Sequence, residues 1–220
     1  FTLFWVVGIM NSVNMLDNMD GITSIVTIGI IANTIYRIFS HSDFNNMHLL
    51  VLIGVLSSVI AFLRFNWHPS KMYMGDTGSQ FLGVFLAAMG IIYFWNDPYA
   101  SLTPATGKLF CITLMTFILP ILDTTIVVVN RLSKGQSPFV GGKDHTTHSL
   151  AYLGLSDRQV ALVFLALAIC SLSLNIMISE FLTEWSYVYT ALFAGYFIML
   201  LSFFFYTTRN KKAKSRERLH

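Results

Sequence analysis

Apolar residues in this chain come as unbroken runs, and polar residues come as short clusters between them. Runs long enough to cross a bilayer as helices are expected near 22–39, 49–64, 79–95, 109–130, 158–179 and 187–206. A shorter run, FTLFWVVGIM, opens the chain and predicts a partial first helix. Its start at Phe1, with no basic head and no small-residue cleavage site, argues against a signal peptide and for a chain whose earlier helices lie upstream. The fold class that follows is all-α, a polytopic helix bundle of about six full spans. Residues 1–206 would form the membrane domain and 207–220 a basic tail.

Composition sharpens this picture. Of the 220 residues 55% are hydrophobic and only 11% charged, with a mean hydropathy of +0.63. A water-covered domain carries about 25% charged residues. Cys111 and Cys170 both fall inside apolar runs, which points to buried thiols rather than a disulfide framework or a zinc site.

Charge then sets the orientation. The loops at 11–21, 65–78 and 131–157 and the tail, with their flanks, hold Arg64, Lys71, Arg131, Lys134, Lys143, Arg158 and six basic residues of RNKKAKSRER. The opposite loops hold only Arg37 and Lys108. By the positive-inside rule the first set faces the cytoplasm. The tail reads as a topology anchor that also favours anionic lipid.

Three polar clusters share that side. In NSVNMLDNMDG, residues 11–21, a helix continuing to Gly21 would put Asn14, Asp17, Asn18 and Gly21 on one face. Carboxylates near membrane depth line wet cavities or pair with something, and with side-chain amides they offer the hard oxygens that a magnesium ion takes. A plain turn of Asn and Asp before Gly is the simpler alternative. In MYMGDTGSQFLG, Asp76 precedes a new helix whose free N–H groups suit a phosphate, or which Asp76 itself caps. In VGGKDHTTHSL, His145 and His148 stand three apart beside Lys143 and Asp144. That set is thin for zinc and better suited to donating hydrogen bonds to phosphate, or it is a solvated loop. Asp123, alone in the middle of an apolar run, reads as a structural hydrogen-bond acceptor facing the protein interior.

Taken in order, N-x-x-N-x-x-D-x-x-D-G (Asn11, Asn14, Asp17, Asp20, Gly21), F-N-x-x-P (Phe65, Asn66, Pro69) and M-G-D-T-G-S (Met74 to Ser79) resemble the polyprenyl-phosphate N-acetylhexosamine-1-phosphate transferases, the membrane family of the WecA, TagO and MraY types. The resemblance covers nearly the whole chain, which would be the C-terminal two-thirds of the family fold. The family's upstream Asp-Asp pair, which takes part in catalysis, is absent from it. The His loop also departs, reading His145-Thr-Thr-His148 where the family shows adjacent histidines, so either histidine can take the family role. The PILDT stretch and the DRQ-containing loop look closer to the WecA and TagO branch.

The resemblance implies transfer of N-acetylhexosamine 1-phosphate, most simply GlcNAc 1-phosphate, from a UDP-sugar to undecaprenyl or another polyprenyl phosphate. The product would be the first lipid-linked intermediate of a cell-envelope polysaccharide, made at the bacterial inner membrane. It implies Mg²⁺, with Mn²⁺ as substitute, bound by Asp76 with Asn14 near the ion. Asp17 and Asp76 would be catalytic. Asn18, Met19, Asp20, Asn66 and Tyr73 would form the uridine pocket, and Lys143, His145 and His148 would meet phosphate or sugar. A homodimer is compatible; nucleic acid is not an expected partner. The alternatives are a phospho-MurNAc-pentapeptide transferase of the MraY type and, from another class, an ion-coupled transporter. A transporter would spread its polar residues through the span interiors.

Overall fold

The structure, a computed structural model, describes residues 1–96, 106–138, 142, 144–182 and 184–217, with side chains through 209. Among the described residues nine α-helices follow one another, and no strand occurs. They are α1 (Thr2–Leu16), α2 (Ile22–Ser40), α3 (Met47–Asn66), α4 (Gly75–Gly90), α5 (Thr106–Thr116), α6 (Ile118–Leu132), α7 (Thr146–Tyr152), α8 (Asp157–Glu180) and α9 (Tyr187–Glu217). A single π-helical turn, Ile91–Trp95, prolongs α4. Among the described residues five helices are long and apolar enough to cross a membrane: α2, α3, α4 with its π-turn, α8 and α9. The bent pair α5 and α6 makes a sixth if the two helices together count as one span. The protein is thus an all-α multi-pass membrane bundle.

Helices prevail because a bilayer offers no partner to a bare N–H or C=O, so each segment must satisfy its own backbone. The core gathers around α2, whose span is two-thirds buried, against α8 on one side and α3 on another. α3 and α9 instead turn most of their apolar surface outward, through residues such as Leu50, Ile53, Ile60, Leu192, Ile198 and Phe203. In a membrane that surface meets lipid, so its exposure carries no penalty.

The run at 109–130, expected as one span, is two helices meeting at 77° around Phe117. Pro120 explains the break: it has no N–H for the Thr116 carbonyl, and its ring crowds that carbonyl. Polar side chains from α8 and α2 secure the corner. Ser171 Oγ donates to the Met115 carbonyl at 2.5 Å, and Asn175 Nδ2 donates to Thr116 Oγ1 at 2.8 Å and to Asn33 Oδ1 at 2.6 Å. Interhelical bonds in membrane proteins contribute about 0.6 kcal/mol each, and up to about 1.7 kcal/mol. Asn175→Ala is therefore expected to cost about 1 kcal/mol, measured by denaturant unfolding in bicelles, and much less in an Asn33→Ala/Thr116→Val background.

Two other boundaries differ from expectation. α1 ends at Leu16, so Asn14, Asp17, Asn18 and Gly21 do not share one helical face. The Asp and Asn side chains favour a turn there, and Gly21, at φ 77°, adopts the left-handed backbone that closes it. At the other end, α9 continues without a break from its apolar run into the basic tail as far as Glu217.

Candidate functional site at one end of the bundle

The turn after α1 and the start of α4 are sixty residues apart in sequence and adjacent in space. Asn14, in the last turn of α1, donates through Nδ2 to Asp76 Oδ1 at 3.1 Å and to Ser79 Oγ at 2.9 Å. Asp76 is exposed in the first turn of α4, where the helix dipole favours a negative charge. Asn14 therefore meets Asp76 with its amide nitrogen and holds that carboxylate in place. Asp17 caps the end of α1, half-buried. Burial pushes its carboxyl above the usual range; the nearby Thr23 hydroxyl opposes this, the negative charge of Asp76 adds to it, and the Gly75 backbone opposes it.

The loop between α3 and α4 is locked onto the same turn by Asn66. Its Oδ1 accepts from the Gly21 N–H at 2.9 Å, while Nδ2 donates to the Met72 carbonyl at 2.9 Å. With 4% of its surface exposed and its amide bonded at both ends, Asn66 braces the two loops against each other. Tyr73, one residue past that brace, is 77% exposed. Asp20 Oδ2 accepts from the Ser70 N–H at 3.0 Å and lies 2.9 Å from His68 Nδ1. His68 also lies 3.4 Å from Asp157 Oδ2, and Arg158 Nε donates to its carbonyl at 3.2 Å, so the start of α8 joins the cluster. Sequence reasoning passed over His68; its place between an aromatic residue and Pro69, in the loop shared with Asn66, was the available signal.

The third polar segment arrives through α7. Thr147 Oγ1 donates to Asn18 Oδ1, while Asn18 Nδ2 donates to the Met15 carbonyl at 2.7 Å. Met19 is half-buried against the core. His145 is buried at the start of α7, and His148 is half-buried one turn later, with ring centroids 6.3 Å apart. Asp144 pairs with Lys134 at 3.1 Å and lies 3.6 Å from Arg131 Nε. Lys143 falls outside the described residues. All three clusters that the sequence singles out thus converge on one end of the bundle. The opposite end holds unrelated pairs such as Tyr36 Oη donating to Glu180 Oε1 at 2.6 Å.

The donor set can be tested against the divalent cation that the resemblance implies. Among the described residues no three His, Cys, Asp or Glu side chains gather into a cage. The carboxylates of Asp17 and Asp76, near enough for the charge of one to act on the other, are the hard donors on hand. Mg²⁺ is commonly held by one or two carboxylates completed by water and substrate phosphates, so these residues fit it.

The profile of glycosyl transferase family 4 matches residues 1–94. The chain is 34% identical over 164 residues to a probable undecaprenyl-phosphate N-acetylglucosaminyl 1-phosphate transferase of Bacillus subtilis (strain 168), covering 74% of this chain and 43% of that protein. A decaprenyl-phosphate N-acetylglucosaminephosphotransferase of Mycobacterium leprae (strain TN) is 32% identical over 179 residues, with the same coverages. A phospho-N-acetylmuramoyl-pentapeptide-transferase of Lactobacillus johnsonii is 30% identical over 164 residues, 74% of this chain and 47% of the relative. The chain spans less than half the length of each of these relatives.

Proposed function

The chain belongs to glycosyl transferase family 4, and on that premise we propose that it forms part of an enzyme moving N-acetylglucosamine 1-phosphate from a UDP-sugar to a polyprenyl phosphate. The carrying observation is the junction of Asn14 and Asp76 at 3.1 Å, which joins the end of α1 to the start of α4 in one acidic site at one end of the bundle. Relatives that act on undecaprenyl and decaprenyl phosphates support the class of acceptor. The basic loops support a cytoplasmic position for this end, at a bacterial inner membrane, where sugar nucleotides are available.

In the reaction a phosphate oxygen of the lipid attacks the phosphorus that bears the sugar. The bond from that phosphorus to the bridging oxygen breaks, and the oxygen leaves with UMP. The product is polyprenyl-diphosphate-GlcNAc. A divalent ion, Mg²⁺ or Mn²⁺, would neutralise the diphosphate and the charge growing on the leaving UMP. Asp76 would hold that ion with Asp17, and Asn14 would orient Asp76. Asn18, Met19, Asp20 and Tyr73 would line the uridine pocket, braced by Asn66. Lys143, His145 and His148 would donate to phosphate or sugar.

The test is UMP release from UDP-GlcNAc and undecaprenyl phosphate by the full-length protein in lipid nanodiscs. No release with any UDP-HexNAc overturns the reading. The likeness to a pentapeptide transferase supports a second donor, UDP-MurNAc-pentapeptide, and the same assay with both donors in competition separates the two. The site gives no support to an ion-coupled transporter, because its polar clusters gather at one end of the bundle. For the uridine pocket, Tyr73→Ala is expected to raise KM for the UDP-sugar about tenfold, the size of one lost stacking contact of 1–3 kcal/mol, with the melting temperature unchanged. An unaltered KM removes Tyr73 from the pocket.

A further inference from the structure

Asp123 has no place in the site just described, yet both of its carboxylate oxygens are engaged by the segment that enters it. It lies on α6 with none of its surface exposed. Its Oδ1 accepts from the Thr146 N–H at 2.8 Å and from Thr146 Oγ1 at 2.7 Å. Its Oδ2 lies 2.9 Å from His145 Nδ1. Thr146 is the first residue of α7, and the His145 side chain makes no cap bond of its own. One carboxylate from another helix therefore caps α7 and also seats the ring at its entrance.

This arrangement decides the chemistry of the ring. A carboxylate that is already accepting two hydrogen bonds at one oxygen accepts at the other, so Nδ1 carries a proton. Nε2 is then the ring nitrogen left for a substrate. A side-chain bond reinforces the register, since Thr147 Oγ1, two residues after His145, donates to Asn18 Oδ1 in the turn after α1.

We propose that Asp123 is a positioning residue for His145: it fixes the Nδ1–H tautomer and presents Nε2 to the phosphate or sugar in the site. This rests on the reading of His145 as a phosphate or sugar contact given above. It assigns this role to His145, whose Nδ1 lies 2.9 Å from Asp123 Oδ2.

The experiment uses the full-length enzyme in lipid nanodiscs. Asp123→Asn keeps an acceptor for Thr146 but offers an amide to the ring. It is expected to lower kcat about 10- to 100-fold, the usual range for removing the partner that orients a histidine. KM for the UDP-sugar should stay within about threefold. His145→Gln should lose as much, and the double variant should be no slower than His145→Gln alone. Losses that multiply in the double variant, or a KM that rises with an unchanged kcat, would show that Asp123 acts only on the fold and overturn the proposal. Nitrogen-15 spectra of histidine-labelled wild-type enzyme, assigned with His145→Gln, decide the same point if Asp123→Asn does not reach the membrane. A protonated Nδ1 is expected, and an unprotonated Nδ1 overturns the proposal. If wild-type enzyme turns over no UDP-HexNAc, the functional reading fails, while the spectra still report on the pair.

Discussion

Asp76→Ala is expected to reduce UMP release by about a thousandfold while leaving the membrane-embedded fold in place. Asp76 is exposed in the first turn of α4 and packs no apolar surface, so removing it opens no cavity. What it removes is a fixed negative charge at the place where two anionic substrates and a cation would meet. Removing one preorganised electrostatic contact of this kind typically costs about 2.7–4 kcal/mol, or 10²- to 10³-fold. The neighbouring Asn14 acts through Asp76, at 3.1 Å, so Asn14→Ala should cost less, about tenfold, with a weaker response to Mg²⁺. Initial rates across a Mg²⁺ titration check both variants. A rate for Asp76→Ala within threefold of wild type would remove the acidic site from the reaction.

Asp17 should behave differently, because burial already opposes its charge. Its folded-state carboxyl is raised, chiefly by desolvation. For an acid this means the folded state holds its proton more tightly than the unfolded one. In cation-free protein the ionised group therefore costs stability as pH rises from the ordinary carboxylate range through the raised value, and the full cost is present above that. Asp17→Asn is expected to melt slightly higher than wild type at neutral pH without divalent ions, with no such advantage in strong acid. It should nonetheless lose activity. Thermal melts at both pH values check the sign.

Much of this architecture can be read from the chain alone, for a physical reason. Lipid removes every alternative to a self-satisfied helix, so an unbroken apolar run nearly determines its own structure, and α2, α3 and α8 follow their runs closely. What the chain conceals is what depends on contact. The corner at Phe117 hides in a run that stays apolar throughout, and only Pro120 hints at it. The polar clusters could be assigned to one side by charge, but Asn66 and Asn18 could not be seen as braces between loops until those loops were side by side. Asp123 shows the limit most clearly. A lone acid in a span reads as an interior acceptor, and its partner lies 22 residues away across a connection whose path no local pattern specifies.

Gly83→Leu is expected to impair activity nearly as severely as loss of Asp76, although Gly83 lies two helical turns from it. A Cβ on Gly83 would stand 2.7 Å from Met10 Cα and 3.0 Å from the Met10 carbonyl oxygen. The obstacle is backbone, which cannot rotate away, so any side chain pushes α4 off α1. Small residues at such crossings let membrane helices approach closely. The site lies on the same crossing, about 6 Å along α1 from Met10 to Asn14 and about 10 Å along α4 from Gly83 to Asp76, at 1.5 Å per residue. Separating the helices there stretches the 3.1 Å bond between Asn14 and Asp76 and the bond from Trp5 Nε1 to the Ala87 carbonyl, 3.0 Å in the folded protein. Overpacking should cost about 1–3 kcal/mol of stability. Because the clash is with the main chain, Met10→Ala should not rescue Gly83→Leu. On α3, where an added Cβ meets nothing within 4 Å, Gly54→Ala should leave rate and stability near wild type. UMP release and melting temperature of the three variants check the argument. Rescue by Met10→Ala would show that the side chain, and not the backbone contact, sets the spacing of the two helices that carry the site.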